Sequence, residues 1–250
     1  MTMAASLEAI PLEPHRRVVA EVLNEACANP LIVGVLLIGS LGRGNAVPGS
    51  DIDMLFLLTD GQGQTRIFPN QEREGLLIEF HYRDVATALA QLEDAPSWHY
   101  AYLGGRILHD PTGRLAQLVA EVRARAASWR PKSAERRKHA FYADRTGHKL
   151  LAGINAGDAL RAGGVASTYA PIILSCLWLA YDRPSVGVTE MWVHLPELVG
   201  LPTEMPGHLR QLFLGTPFER AHAGLAICAH AVERLGGPVI DPYALDEEGS

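Results

Sequence analysis

The stretch Gly39-Ser-Leu-Gly-Arg-Gly-Asn-Ala-Val-Pro-Gly-Ser-Asp-Ile-Asp53 lies between two apolar runs, Leu31-Ile-Val-Gly-Val-Leu-Leu-Ile38 and Met54-Leu-Phe-Leu-Leu58. The pattern predicts a buried strand, a Gly-Ser turn, a glycine-rich loop and a second strand that opens on two carboxylates. Side chains two residues apart on a strand share a face. Asp51 and Asp53 are therefore expected to project together near Gly39 and Ser40. Hard oxygen ligands beside a turn with free backbone N–H groups suit a divalent cation carrying a nucleoside triphosphate.

Two cations a few ångströms apart need more anionic oxygen than two carboxylates supply, so a third acid is expected. Glu79 fits. It stands within the apolar run Leu76-Leu-Ile-Glu-Phe80, where an unpaired carboxylate is costly to bury, and His81 shares its strand face. A solvent-facing edge acid, or an ion pair with Arg83 or Arg66, is the alternative reading of the same position.

Gly39-Ser40, the spacing to Asp51-x-Asp53 and the later apolar-Glu79-apolar strand resemble the DNA polymerase β-like nucleotidyltransferase superfamily. Leu41-Gly-Arg43-Gly is similar to the small-Arg-Gly element of its minimal members. The resemblance covers residues 31–83. It implies that Gly39 lets the backbone approach the phosphates, that Ser40 hydrogen-bonds one of them, and that Asp51, Asp53 and Glu79 hold two Mg²⁺ ions. Glu79 is also placed to take the acceptor hydroxyl's proton. Arg43 is a candidate partner of a terminal phosphate or a cap for its own turn, and Ser50 either touches nucleotide or fixes the turn before the strand. The implied donor is ATP or another NTP.

Downstream of Glu79, a helix is expected from the N-cap Asp84 to Asp94, a short strand at Arg106–His109 and a helix from Leu115 to Ala127; upstream, a helix spans His15–Ala28. From Lys132 onward only helical patterns occur, at about 132–156, 164–181, 189–199, 204–214 and 217–235. Strands with interleaved helices followed by helices alone predict an α+β chain. Its head is a mixed sheet with flanking helices over residues 1–130, a helical bundle follows over 131–237, and residues 238–250 form an acidic tail.

The helical half resembles, in arrangement, the substrate-binding C-terminal domain of aminoglycoside-type nucleotidyltransferases. Leu177-Trp-Leu-Ala-Tyr-Asp-Arg-Pro184 with Glu190-Met-Trp192 is loosely similar to streptomycin/spectinomycin adenylyltransferases, which makes Arg183 a candidate nucleotide contact. Lys138, Tyr142, Arg145 and Lys149 fall on one helix face. A stripe for a triphosphate and a solvated face both fit that spacing. Trp98, Tyr100 and Tyr102 are read as core aromatics or as a stacking platform for a base or sugar.

Bulk composition narrows the partners. The 250 residues are 48% hydrophobic and 20% charged, with net charge −6, which argues against a nucleic-acid polymer as the favoured partner and suits a cationic small acceptor. Cys27, Cys176 and Cys228 show no zinc spacing and read as reduced core residues. Met1–Glu13 has no basic segment followed by an apolar core, and the longest nearly unbroken apolar run is about ten residues against the ~20 of a bilayer span. The expectation is a cytoplasmic enzyme without a membrane anchor, monomeric or homodimeric. It would transfer AMP from ATP to a hydroxyl of a small polar molecule such as an aminoglycoside-like antibiotic. The alternatives are a tRNA-end or protein acceptor, as in toxin–antitoxin nucleotidyltransferases, and a non-catalytic nucleotide binder.

Overall fold

The computed structural model describes residues 7–240 and divides the chain into two compact units, Met1–Ser128 and Trp129–Ser250. Most of the acidic tail, residues 241–250, lies outside the described residues.

The first unit is built on five strands, β1 (Ile32–Leu37), β2 (Ile52–Leu58), β3 (Gln71–Arg73), β4 (Leu76–Arg83) and β5 (Arg106–His109), in the order β3-β4-β2-β1-β5. β2 is antiparallel to β1 and parallel to β4, so the sheet is mixed. β2 reads Ile-Asp-Met-Leu-Phe-Leu-Leu because a central strand covered on both faces is nearly all apolar. On one face Ile52, Met54, Phe56 and Leu58 join Ile78, Phe80 and Tyr82 under helix α1 (Glu13–Cys27), whose buried Val18, Val19, Val22, Leu23 and Ala26 keep helical spacing. On the other face Leu36, Leu55 and Leu57 pack with Ala88, Leu92, Tyr102, Leu115, Leu118 and Val122. Those partners come from α3 (Val85–Asp94), α4 (Trp98–Gly104) and α5 (Arg114–Ser128). Tyr100 and Tyr102 are buried, so their core reading holds. Cys27 is exposed at the end of α1, against the expectation of three core thiols, whereas Cys176 and Cys228 are buried. It falls on the polar side of α1, one position past the last apolar residue of the stripe.

Asp84 ties the second face together. Its Oδ1 accepts hydrogen bonds from the Thr87 N–H and hydroxyl, each at 2.8 Å, and its Oδ2 accepts from Gly61 N at 2.9 Å and Gly63 N at 3.1 Å. Burial alone would raise this carboxyl, but the bonds from Thr87, Gly63 and Gly61 outweigh it and hold Asp84 below its ordinary value. A carboxylate lowered on folding stabilises fully above its unfolded value of about 3.9, and that contribution is lost as pH falls through the folded value. Urea midpoints of the wild type should therefore fall below about pH 4, while Asp84→Asn should be flatter there. At neutral pH Asp84→Ala should cost about 2–4 kcal/mol, because three backbone donors lose their acceptor.

The second unit is helical: α6 (Ser133–Asn155), α7 (Ala159–Ala180), α8 (Met191–His194) with a 3₁₀ turn at Leu195–Glu197, α9 (Met205–Leu214) and α10 (Pro217–Arg234). Gly224 lets three elements meet, since a β-carbon there would lie 3.1 Å from Leu150, 3.2 Å from Ile173 and 3.4 Å from Leu212. By length and composition α7 could cross a membrane, a property hidden in the sequence by its interspersed Gly, Ser, Thr and Pro. In the fold 56% of its most apolar window is buried, as befits the central helix of a bundle.

Candidate active site

The Gly-Ser turn is a short helix, α2 (Gly39–Arg43), that starts where β1 ends. Leu41 anchors it in the core at 1% exposure. Gly42 keeps it tight against β1, as a β-carbon there would lie 2.4 Å from the Leu37 carbonyl oxygen. Gly39 has φ +63°, and a β-carbon on it would lie 2.2 Å from Asp53 Oδ2. The backbone thus runs directly against a carboxylate, a closeness only glycine allows. The first N–H groups of a helix have no acceptor within it, and those of Gly39 and Ser40 stand at the end of α2 where Asp53 meets Gly39. Ser40 Oγ is buried and has no hydrogen-bond partner among the described residues.

β2 and β4 place the acids. The parallel register pairs Asp53 with Glu79 and Leu55 with His81. Alternation then puts Glu79 and His81 on the same face as Asp53. One ligand atom from each of Asp53, Glu79 and His81 can be chosen so that all lie within 4.8 Å of one another, and all three residues are half-buried. His81 Nε2 is 3.9 Å from Asp53 Oδ1. Neither Arg83 nor Arg66 neutralises Glu79; Arg83 instead donates from Nε to Gln91 Oε1 at 2.9 Å.

Asp51 departs from expectation. It precedes the first residue of β2, is exposed, and is not part of the cluster. The preceding turn is fixed by Ser50, whose hydroxyl accepts from Val47 N at 3.0 Å and whose carbonyl accepts from the buried His15 Nε2 at 2.8 Å. His81, in contrast, stands in the cluster although the sequence reading gave it no role. The signal was the two-residue spacing from Glu79.

The stem of Arg43 packs on Gly104 at the end of α4, where a β-carbon would be 3.0 Å from Arg43 Cγ. Lys149 and Arg183 belong to the helical unit. Lys149 Nζ bonds the Tyr169 hydroxyl and sits 4.3 Å from that ring's centre. Lys138 lies over Tyr142 at 5.8 Å and Arg145 over Phe141 at 5.2 Å, so the basic face is engaged with rings of its own unit. Arg183 lies just past α7, with Nη1 3.4 Å from the Asp182 carbonyl oxygen.

A polar cavity of about 440 Å³ runs along the part of β4 that β3 leaves uncovered, lined by Gln64, Arg66, Asn70, His81 and Arg83 with Phe68 and Phe80. Its size suits a small ligand. Tyr82 braces the wall: its hydroxyl donates to the Phe68 carbonyl at 2.7 Å and accepts from Phe68 N at 2.7 Å, and burial pushes its phenol up to about 12.

Residues 19–92 match the family model described as the nucleotidyltransferase domain. A nucleotidyltransferase-like protein from Exiguobacterium sibiricum is 14% identical, with a TM-score of 0.41, over 87% of this chain and 74% of that one. No curated protein matches the chain.

Proposed function

We propose, with residues 19–92 as a nucleotidyltransferase domain, that the protein transfers a nucleoside monophosphate, AMP from ATP, to a hydroxyl of a small polar acceptor. An aminoglycoside-like antibiotic is the acceptor to try first, since a polycation suits a chain of net charge −6. The observation that carries this reading is the pairing of Asp53 with Glu79 across two parallel strands, with Asp53 set against the backbone of Gly39. Two features fit a divalent cation and a triphosphate. The donor set is dominated by carboxylates, and Ser40 Oγ is a buried polar atom that still lacks a partner.

In this mechanism Gly39, lacking a side chain, lets the backbone reach the phosphates without displacing Asp53. Ser40 rotates its hydroxyl to donate to a phosphate oxygen. Asp53 and Glu79 would hold the cation, and Asp51, exposed just before β2, would complete its ligands. Bound there, Mg²⁺ would neutralise charge on the triphosphate and leaving pyrophosphate. Glu79 accepts the proton of the attacking hydroxyl. Arg43 balances phosphate charge at the far end of α2, and the helical unit with Lys149 and Arg183 contributes to substrate binding. Three free thiols suit a reducing compartment, hence a cytoplasmic location.

The test follows labelled transfer from each of the four NTPs, with Mg²⁺, onto a panel of antibiotics and onto bulk tRNA. Label on a small acceptor is expected. Label on RNA or on protein would replace the acceptor class, and absence of pyrophosphate release from every NTP would overturn the enzymatic reading. Glu79→Gln should bind nucleotide within about threefold of wild type and lose transfer by about 10²–10⁴-fold. Normal transfer by that variant would assign the proton acceptor elsewhere.

A further inference from the structure

Resting on the reading above for Asp53 and Glu79 as cation ligands, we infer that His81 is a ligand of the same ion. Its imidazole makes this site bind Mn²⁺ in preference to Mg²⁺. Three observations carry this.

The first is register. Glu79 and His81 stand two residues apart on β4, beside Asp53 and Leu55 of β2, so the pleat aims all three donor side chains at one point. The second is spacing. The 3.9 Å between His81 Nε2 and Asp53 Oδ1 is longer than a hydrogen bond. It is shorter than about 4.2 Å, the span of two donors on opposite sides of an ion with bonds of ~2.1 Å. Neither ring nitrogen of His81 has a hydrogen-bond partner among the described residues, so both nitrogens are open to a ligand. The third is support. The Trp98 ring meets the His81 ring edge to face, with centroids 5.1 Å apart and planes at 76°. This contact restricts rotation of the imidazole and keeps Nε2 turned toward Asp53.

The choice of metal follows from donor type. Mg²⁺ is hard, gives up water reluctantly and is bound mainly through oxygen. A site of two carboxylates and one imidazole favours first-row transition ions, which accept nitrogen readily. A carboxylate at position 81 would instead favour Mg²⁺.

The experiment reads metal binding without catalysis. Free Mn²⁺ is followed by electron paramagnetic resonance during titration of the full chain, and Mg²⁺ affinity is measured by displacement. Wild type should bind Mn²⁺ at least about tenfold more tightly than Mg²⁺. His81→Ala should weaken Mn²⁺ by about 10–100-fold and leave Mg²⁺ within about threefold, collapsing the preference. His81→Asn, which keeps a polar side chain too short to reach the ion, should behave the same and serves if the alanine variant folds poorly. Asp53→Asn should lose both ions. An unchanged Mn²⁺-to-Mg²⁺ ratio in both His81 variants, with binding lost in Asp53→Asn, would overturn the role of His81 alone. Undiminished binding in Asp53→Asn would overturn the cation site itself.

Discussion

Asp53→Asn should keep the fold and lose nucleotidyl transfer by at least about 100-fold. Groups that merely orient a metal ligand are worth about 10–100-fold in metal affinity, and a direct ligand is worth no less. The amide preserves the shape of the side chain, so the close contact with Gly39 and the backbone bond from Ile38 N to the Asp53 carbonyl at 3.0 Å both remain. What disappears is one negative charge within 4.8 Å of Glu79. Like charges so close oppose folding, with some solvent screening because both groups are half-buried. The variant should therefore be as stable as wild type or more stable by up to about 1 kcal/mol. Opposite movement of activity and stability is the signature of a site kept for function. Pyrophosphate release and a urea unfolding curve on the same preparation decide it. Unchanged release with unchanged stability would remove Asp53 from the chemistry.

The sequence offers Asp53 and Glu79 as candidate acids because each carboxylate interrupts an apolar run, but their direct pairing rests on the parallel register of β2 and β4, which alternation along either strand does not set. Asp51 was less legible. The strand argument assigned it to the same face as Asp53, whereas it lies exposed just before β2, outside the cluster that Asp53 forms with Glu79 and His81. Among the elements, α2 escaped notice because three glycines in six residues speak against a helix by propensity. Tertiary contacts override that preference, as Leu41 is anchored in the core and Gly42 leaves no room for a side chain. β3 was invisible for a different reason. Gln71-Glu-Arg73 is a polar edge, and only the tight turn at Glu74 and Gly75, with φ of 54° and 75°, folds it back on β4. Trp98, Tyr100 and Tyr102, read as core aromatics or a stacking platform, lie on a helix that buries Tyr100 and Tyr102 and leaves Trp98 against His81. Lys149 illustrates the limit of charge patterns: spacing shows a shared face, but the Tyr169 ring that engages the ammonium lies twenty residues away.

Gly39→Ala should damage both stability and transfer, and two costs can be separated. A left-handed backbone at a residue with a β-carbon costs about 1–2 kcal/mol. The second cost is contact, because the new carbon would stand 2.2 Å from Asp53 Oδ2 and 3.1 Å from its Cγ. Either the turn or the carboxylate must move, which adds about 1–3 kcal/mol of overpacking. Gly49 supplies the control within the same loop. Its φ is +87° and a β-carbon there meets nothing within 4 Å, so Gly49→Ala should show the backbone cost alone and retain transfer. A double-mutant cycle isolates the contact. With Asp53 replaced by alanine the oxygen is gone, and adding Gly39→Ala should then cost little more than Gly49→Ala does in the wild type. Equal penalties for Gly39→Ala in both backgrounds would mean that the glycine serves only its own backbone angle, and that the turn does not press on the carboxylate.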